Sequence, residues 1–167
     1  MTQMEDNSTF DWLVQLLDAH KAVYSLMHHE PEGRTDPVSL IRGHRVEQAA
    51  KCMIVMVKVG KKVTRFVLGV VPGNCRIDLS AIQKLKEGTF AKFADVAVAE
   101  RLARTRSGAV LPFATSEELE LIVDPLLLQY PTIYFNAARL DCSVALKTQD
   151  YIAIAKPLVR TIAVPPP

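Results

Sequence analysis

The chain carries one unbroken apolar run, Cys52-Met53-Ile54-Val55-Met56-Val57, rich in β-branched side chains. A strand with no polar alternation needs cover on both faces, so the pattern predicts a strand in the interior of a sheet. Lys51 stands where the strand begins, just after the helical stretch that ends at Ala50.

The rest of the pattern is read around that strand. Phe10, Leu13, Val14, Leu16 and Leu17 recur at helical spacing and predict a packing helix over Ser8 to His20, with Ser8 as cap and Asp11 three residues on. Ala22 to His28 alternates weakly as a short strand, followed by a turn-rich polar loop from His29 to Pro37. Val38 to Ala50 is helical in pattern, broken near Arg42-Gly43. Val59 to Val63 turns the chain back into a second apolar strand, Arg65 to Val71, and the two make a hairpin. Pro72-Gly73-Asn74 is a turn. Ser80 starts a helix with Gln83 at the capping-box position, and Gly88 stops it. Asp95 to Thr105 is a further helix with Val96, Ala99, Leu102 and Ala103 on its inner face.

Residues 105–113 show no periodicity but are apolar, the pattern of a loop that packs inward. Leu119 to Val123 is a strand, Asp124 a cap with Pro125 at the first helical position, and Thr132 to Asn136 and Val144 to Leu146 are strands. Gln149 to Lys156 is a short helix, and the Pro-rich end over 157–167 is expected to fray. Strands and helices mix without a βαβ rhythm and at least one hairpin is clear. The expected fold class is therefore α+β: a single domain over 1–167, with a mixed, mostly antiparallel sheet surrounded by helices and a packing helix in the first 20 residues.

Composition narrows the function. With 167 residues, 49% of them hydrophobic, the chain is long enough to bury a core without metal or disulfide support. A net charge of +2 is small for a protein that grips a long duplex, which argues against DNA and confines any nucleic-acid contact to a local patch. Cys52, Cys75 and Cys142 are odd in number and lie far apart, without metal-ligand spacing, so they are expected as reduced thiols of a cytoplasmic protein with no metal and no cofactor. No apolar run approaches membrane-spanning length and no signal-peptide pattern is present, so no membrane partner is expected.

Candidate chemistry is sparse. Lysines at strand ends ordinarily carry their ammonium to water, whereas one held back from water serves as a donor, an electrostatic clamp or a base; Lys51 is open to both readings. Gly108 either makes a simple turn or brings backbone N–H groups close to a developing negative charge. His28 and His29 are adjacent and face opposite ways on a strand, which disfavours a shared metal. Cys52 is expected as a buried thiol rather than a nucleophile. GxSxG, HExxH, P-loop and GxGxxG patterns are all missing, which removes the commonest hydrolase and nucleotide-binding readings. Lys58, Lys61, Lys62 and Arg65 gather on the hairpin, and Arg101, Arg104 and Arg106 near the glycine loop; they form either a solvated face or a platform for a few phosphates.

Taken in order, Ala50-Lys51 entering an apolar strand, Val70-Val71-Pro72-Gly73 through Arg76-Ile77-Asp78-Leu79, Gly108 to Phe113, Val123-Asp124 and Phe135-Asn136-Ala137-Ala138-Arg139 resemble the YbaK / prolyl-tRNA-synthetase-associated domain family over about residues 20–156. The resemblance implies an aminoacyl-tRNA deacylase that acts in trans in translation fidelity, hydrolysing the ester of tRNA mischarged with a small amino acid. It implies Lys51 and Gly108 as the catalytic residues, and Ala109, Pro112, Phe113, Asn136, Asp141, His29 and Thr35 about the substrate. Partners would be the tRNA acceptor end, met by Lys58, Lys61, Lys62 and Arg104, and an aminoacyl-tRNA synthetase as a further candidate. The alternative is a non-catalytic tRNA- or protein-binding module on the same fold. Family members commonly have glycine, a hydroxyl residue and glycine where this chain has Ala109, Leu111 and Ala138, and the added methyl groups are expected to narrow or dry the pocket.

Overall fold

The apolar run at 52–57 lies inside a sheet, as its pattern requires. The computed structural model describes residues 2–167, with side chains described from Asn7 onward; Met1, which opens the expected N-terminal segment, lies outside them. The chain begins with α1 (Thr2–Ala19), β1 (Tyr24–His28) and α2 (Thr35–Arg42), followed by a 3-10 turn at Val46–Gln48. The hairpin β2 (Ala50–Val59) and β3 (Val63–Pro72) leads into β4 (Arg76–Ile77), α3 (Leu79–Leu85), β5 (Phe90–Phe93) and α4 (Val96–Ala103). Then come β6 (Leu119–Val123), α5 (Pro125–Leu128), β7 (Thr132–Asn136), β8 (Cys142–Lys147), α6 (Thr148–Ala155), β9 (Leu158–Val159) and β10 (Ala163–Val164).

The principal sheet has the order β5-β2-β3-β6-β9, antiparallel from β5 to β3 and parallel from β3 to β9. A second, antiparallel sheet runs β1-β8-β7, and β4 pairs with β10. The domain is thus α+β with mostly antiparallel pairing. Strand periodicity sorts the core into two layers. Ile54, Leu68 and Val70 point into a cluster closed by Leu13 and Leu17 of α1, Leu102 of α4, and Ile133 and Phe135 of β7. Val55, Val57, Val67 and Val71 point the other way, against Ile77, Ile82 and Ile162. Both faces of β2 are therefore covered, which explains its unbroken apolar sequence.

Several expectations change in detail. α1 already begins at Thr2, so Ser8 lies inside it and caps nothing; Gln3, Met4 and Glu5 are good helix formers without an apolar stripe to reveal them. The α3 cap is Asp78, whose carboxylate accepts from the Ala81 amide at 3.0 Å, while Gln83 donates instead to the Gly88 carbonyl. The turn out of α3 bends at Glu87, with φ 53°, one residue before Gly88. Val96 is 63% exposed and does not belong to the inner face of α4, which buries Leu102 and Ala103. β4 and β5 are too short to show in the pattern.

The Pro-rich end is not frayed. Leu158–Val159 continues the principal sheet beside β6, Ala163–Val164 pairs with β4, and Ile162 is fully buried. The reason is Asp124, which is 1% exposed. Its Oδ1 accepts from the Leu126 amide at 2.9 Å as the α5 cap, and its Oδ2 accepts from the amides of Ile162 and Ala163, both at 2.8 Å. One carboxylate thus ends a strand, starts a helix and ties down the C-terminal segment. Asp124→Ala strands three amides and is expected to lower stability by roughly 3 kcal/mol or more, read from urea unfolding, with Asp124→Asn intermediate because one acceptor survives.

Candidate functional site

β5 pairs with β2 only from Val55 to Lys58, so the first residues of β2 have no strand beside them on that edge. A cavity of about 180 Å³ opens there. Its wall is made by Ala50 to Met53 of β2, by Gly108 and Val110 of the 105–113 loop, by Phe135 and Asn136 of β7, and by Gly33, Thr35, Val38 and Arg42 around α2. Elements far apart in sequence meet at this point, where β5 stops short and β2 runs on without a strand beside it.

Lys51 projects from the β2 face that carries Val55 and Val57, and its Nζ donates to the Cys75 carbonyl at 3.1 Å. It is half-buried and lines both the cavity and a wider groove beyond it. That groove also holds Arg34, Arg45 and Arg76, with Asp36 and Glu47 as its acids.

Gly108 adopts φ +87°, and a Cβ there would sit 2.8 Å from the Gly33 Cα. Only glycine allows both the left-handed conformation and the backbone-to-backbone approach of these loops. The Ser107 amide donates to Glu100 Oε2 and the Ala109 amide to the Arg106 carbonyl. The amides of Gly108 and Val110, the two loop residues that line the cavity, have no partner among the described residues.

Asn136 holds the arrangement together. Its Nδ2 donates to the carbonyls of Glu32 and Gly108, both at 2.9 Å, and its Oδ1 accepts from Arg42 Nη2 at 3.0 Å and from Ser143 Oγ at 2.9 Å. A carboxamide can do no more. Asn136 therefore lines the cavity with its own hydrogen bonds already committed, and it clamps the 30s loop against the glycine loop. His29 Nδ1 faces the Glu30 carbonyl at 2.8 Å, and Nε2 lies 2.6 Å from Ser143 Oγ, whose single proton serves either His29 Nε2 or Asn136 Oδ1. His29 thus supports the clamp from behind rather than facing the cavity.

The other residues singled out from sequence are distributed as follows. Thr35 lies where the cavity opens into the groove. Ala109, Leu111 and Phe113 are buried in the core behind the loop, with Phe113 edge-on to Phe135 and Tyr151, and the Pro112 carbonyl accepts from Tyr151 Oη at 2.7 Å. Neither Ala109 nor Leu111 is part of the cavity lining. Asp141 pairs with Arg139 at 2.9 Å, which holds its carboxyl below the usual range, and it lies outside the cavity wall. Lys58, Lys61 and Lys62 sit at the far end of the hairpin, with Lys58 about 23 Å from Lys51 at some 3.3 Å per residue. Arg104 ends α4 with φ 58°. Ala138 has φ +63°, the conformation that makes glycine the easier residue at that position. Burial pushes the Cys52 thiol well up, away from nucleophilic character.

Among known proteins, a model of the aminoacyl-tRNA editing domain matches residues 36–154. The chain belongs to the aminoacyl-tRNA editing domain family. A multifunctional Ser/Thr-tRNA deacylase, ProXp-y of Escherichia coli, is 38% identical over 159 residues, covering 94% of this chain and 95% of that protein; its counterpart from a second Escherichia coli strain gives the same values. Among solved structures, a hypothetical protein superposes with a TM-score of 0.82 at 17% identity, covering 91% of this chain and 99% of that one. A candidate trans-editing enzyme for prolyl tRNA synthetase gives 0.76 at 19%, covering 93% and 97%. At such identities these structures speak for the fold of the editing domain alone.

Arg42 was missed in the sequence, where it read only as a helix breakpoint beside Gly43. Nothing in local spacing reveals it, because its partners Asn136 and Ser143 are about a hundred residues away. Next to it, His44 stacks on Tyr134 with ring centroids 3.8 Å apart, and its Nδ1 donates to the Arg45 carbonyl at 2.8 Å.

Two outcomes are expected. Asn136→Ala strands two carbonyls and two donors, and should cost about 2–4 kcal/mol in urea unfolding while speeding amide exchange at Gly108. Burial holds the His44 imidazole below its ordinary value; the Arg45 carbonyl opposes this and the Arg42 guanidinium adds to it. The unfolded ring therefore takes its proton at a higher pH than the folded one. This contribution to stability is present above about pH 6.5 and is lost as pH falls toward the lower folded value. Urea midpoints between pH 7.5 and 5 should show that decline, and His44→Gln should flatten it.

Proposed function

We propose that this chain is an aminoacyl-tRNA deacylase that acts in trans, hydrolysing the ester of tRNA mischarged with a small amino acid, serine or threonine in particular. The observation that carries the reading is the cavity itself, which brings Lys51 and the free amides of the Gly108 loop to one small space beside a basic groove. The activity named for the Escherichia coli relative supports the reaction and its hydroxyl amino acids. Such a second hydrolytic site is needed because a synthetase pocket separates ligands differing by one methylene by only about 1–3 kcal/mol.

The acyl group enters the cavity, and the terminal adenosine and its phosphates lie in the groove with Arg34, Arg45 and Arg76. Lys51, at the junction, holds the ribose or a phosphate and offsets the developing negative charge. The Gly108 and Val110 amides donate to the carbonyl oxygen as it becomes the tetrahedral oxyanion. The described lining of the cavity has no carboxylate and no histidine, so no side-chain base stands ready there for the nucleophile. Water attacks the ester carbon, the C–O bond to the ribose breaks, and the departing ribose oxygen leaves with the proton; the neighbouring ribose hydroxyl is the nearest group to relay it. Lys58, Lys61 and Lys62 meet phosphates remote from the acceptor end, and Arg104, four residues before Gly108, meets one nearer to it. The protein works in the cytoplasm, alongside the synthetase whose errors it corrects; no helix among the described residues is long and apolar enough to cross a membrane.

Release of amino acid from seryl-, threonyl-, alanyl- and cysteinyl-tRNA tests this directly. Wild type should turn over the hydroxyl amino acids, and a folded Lys51→Ala protein should lose at least about a hundredfold of that rate. Lys51→Ala with the wild-type rate would falsify the role of the lysine. Binding of tRNA without turnover would make the protein a binding module instead.

A further inference from the structure

Arg42 is the last residue of α2, and its side chain turns inward beneath the cavity. Its Nε donates to Ser143 Oγ at 2.8 Å and its Nη2 to Asn136 Oδ1 at 3.0 Å, while Nη1 lies 3.4 Å from His44 Nε2. All three acceptors are neutral. A guanidinium has five N–H groups, so after these contacts it keeps donors on both terminal nitrogens. No ion pair joins Arg42 to a carboxylate among the described residues. Burial lowers its pKa to about 10, which still leaves it charged at neutral pH. A desolvated cation with unused donors and no counter-charge is costly for the empty protein, and a bound oxygen acceptor removes that cost.

The position of Arg42 says which oxygen. Gly33, Thr35 and Lys51 line both the cavity and the groove and so mark the opening between them; Arg42 lines only the cavity. It shares the cavity wall with Asn136, 5% exposed, and both are bonded to Ser143, which is fully buried and outside the lining. A substrate whose ester lies at Lys51 and the Gly108 amides points its side chain toward that part of the wall. Val38, Val110 and Phe135 supply the apolar part of the wall, which suits a methyl or methylene group but offers no hydrogen bond.

We infer that Arg42 is the specificity-determining residue of this site: its unused N–H groups donate to the side-chain oxygen of the acyl group, selecting seryl and threonyl over alanyl esters. The inference rests on the deacylase reading and names the group that sets its substrate class. An alanyl ester leaves the guanidinium unanswered, and a cysteinyl thiol is only a weak acceptor. Sites built to hydrogen-bond a substrate hydroxyl reject the analogue lacking it far more strongly than apolar pockets reject a missing methylene.

The test compares kcat/KM for seryl- and alanyl-tRNA with wild type, Arg42→Lys and Arg42→Met, each checked for cooperative unfolding. Arg42→Met should lower the seryl-to-alanyl ratio at least about tenfold, chiefly by losing the seryl substrate, and Arg42→Lys should retain part of the preference because it keeps a charged donor. If the Met variant does not fold, the Lys variant and Arg42→Gln decide by the same ratio. A parallel fall for both esters would mean that Arg42 acts only by holding Asn136 in place, and an unchanged ratio would leave it no part in selection; either overturns the assignment. Wild type inactive on every ester overturns the deacylase reading and this one with it, whereas active wild type with an unaltered ratio in the variants overturns this one alone.

Discussion

The carboxamide of Asn136 joins four parts of the chain at one point. Its two N–H groups take the carbonyls of Glu32 and Gly108, and its oxygen takes Arg42 and Ser143. No other neutral side chain of that size offers two donors and two acceptor sites in one plane. Because Asn136 sits on β7 and is almost fully buried, the two loops it clamps inherit the rigidity of a strand. The left-handed Gly108 can then face Gly33 at backbone contact distance, and the loop amides keep a fixed direction without ligand bound. Catalytic sites that stabilise a developing oxyanion gain most when the donors need no reorganisation.

The electrostatics of the site follow from the same clamp. Arg42 is held by neutral acceptors and Lys51 by a backbone carbonyl, so two cations border a small cavity whose described lining has no acid. Such a space favours the neutral form of the substrate's α-amino group and welcomes oxygen atoms carrying partial or developing negative charge. That is the demand of ester hydrolysis through a tetrahedral intermediate, and it is met here without a nucleophilic side chain. The Cys52 thiol, which borders the cavity, is kept protonated by its burial.

A second clamp works at the other side of the sheet. Asp124 accepts three backbone amides from two segments nearly forty residues apart, and in doing so converts a Pro-rich end into two short strands. Proline predicts fraying because it cannot donate to a ladder, but the residues between the prolines can. Leu158, Ile162 and Ala163 use that freedom, one at the edge of the principal sheet and two against its second face.

The sequence by itself determined the elements whose residues answer to their immediate neighbours. The covered strand at 52–57, the hairpin, the Asp124-Pro125 helix start and the inward-packing 105–113 loop were all legible, because periodicity and capping act over a few residues. Lys51, Gly108 and Asn136 came forward together only through the resemblance that the order of short motifs carries to a known family. Only the tertiary structure decided where those residues stand and what they bond to. It showed Asn136, which lines the cavity, to be a clamp between loops as well, and carried Ala109 and Leu111 into the core. It also introduced Arg42, whose partners lie about a hundred residues away, and ordered the C-terminal end through a carboxylate thirty-eight residues before it. Hydrogen bonds between distant segments leave no periodic trace in a sequence, since each partner is locally an ordinary polar residue. Their meaning exists only once the sheet has set them side by side.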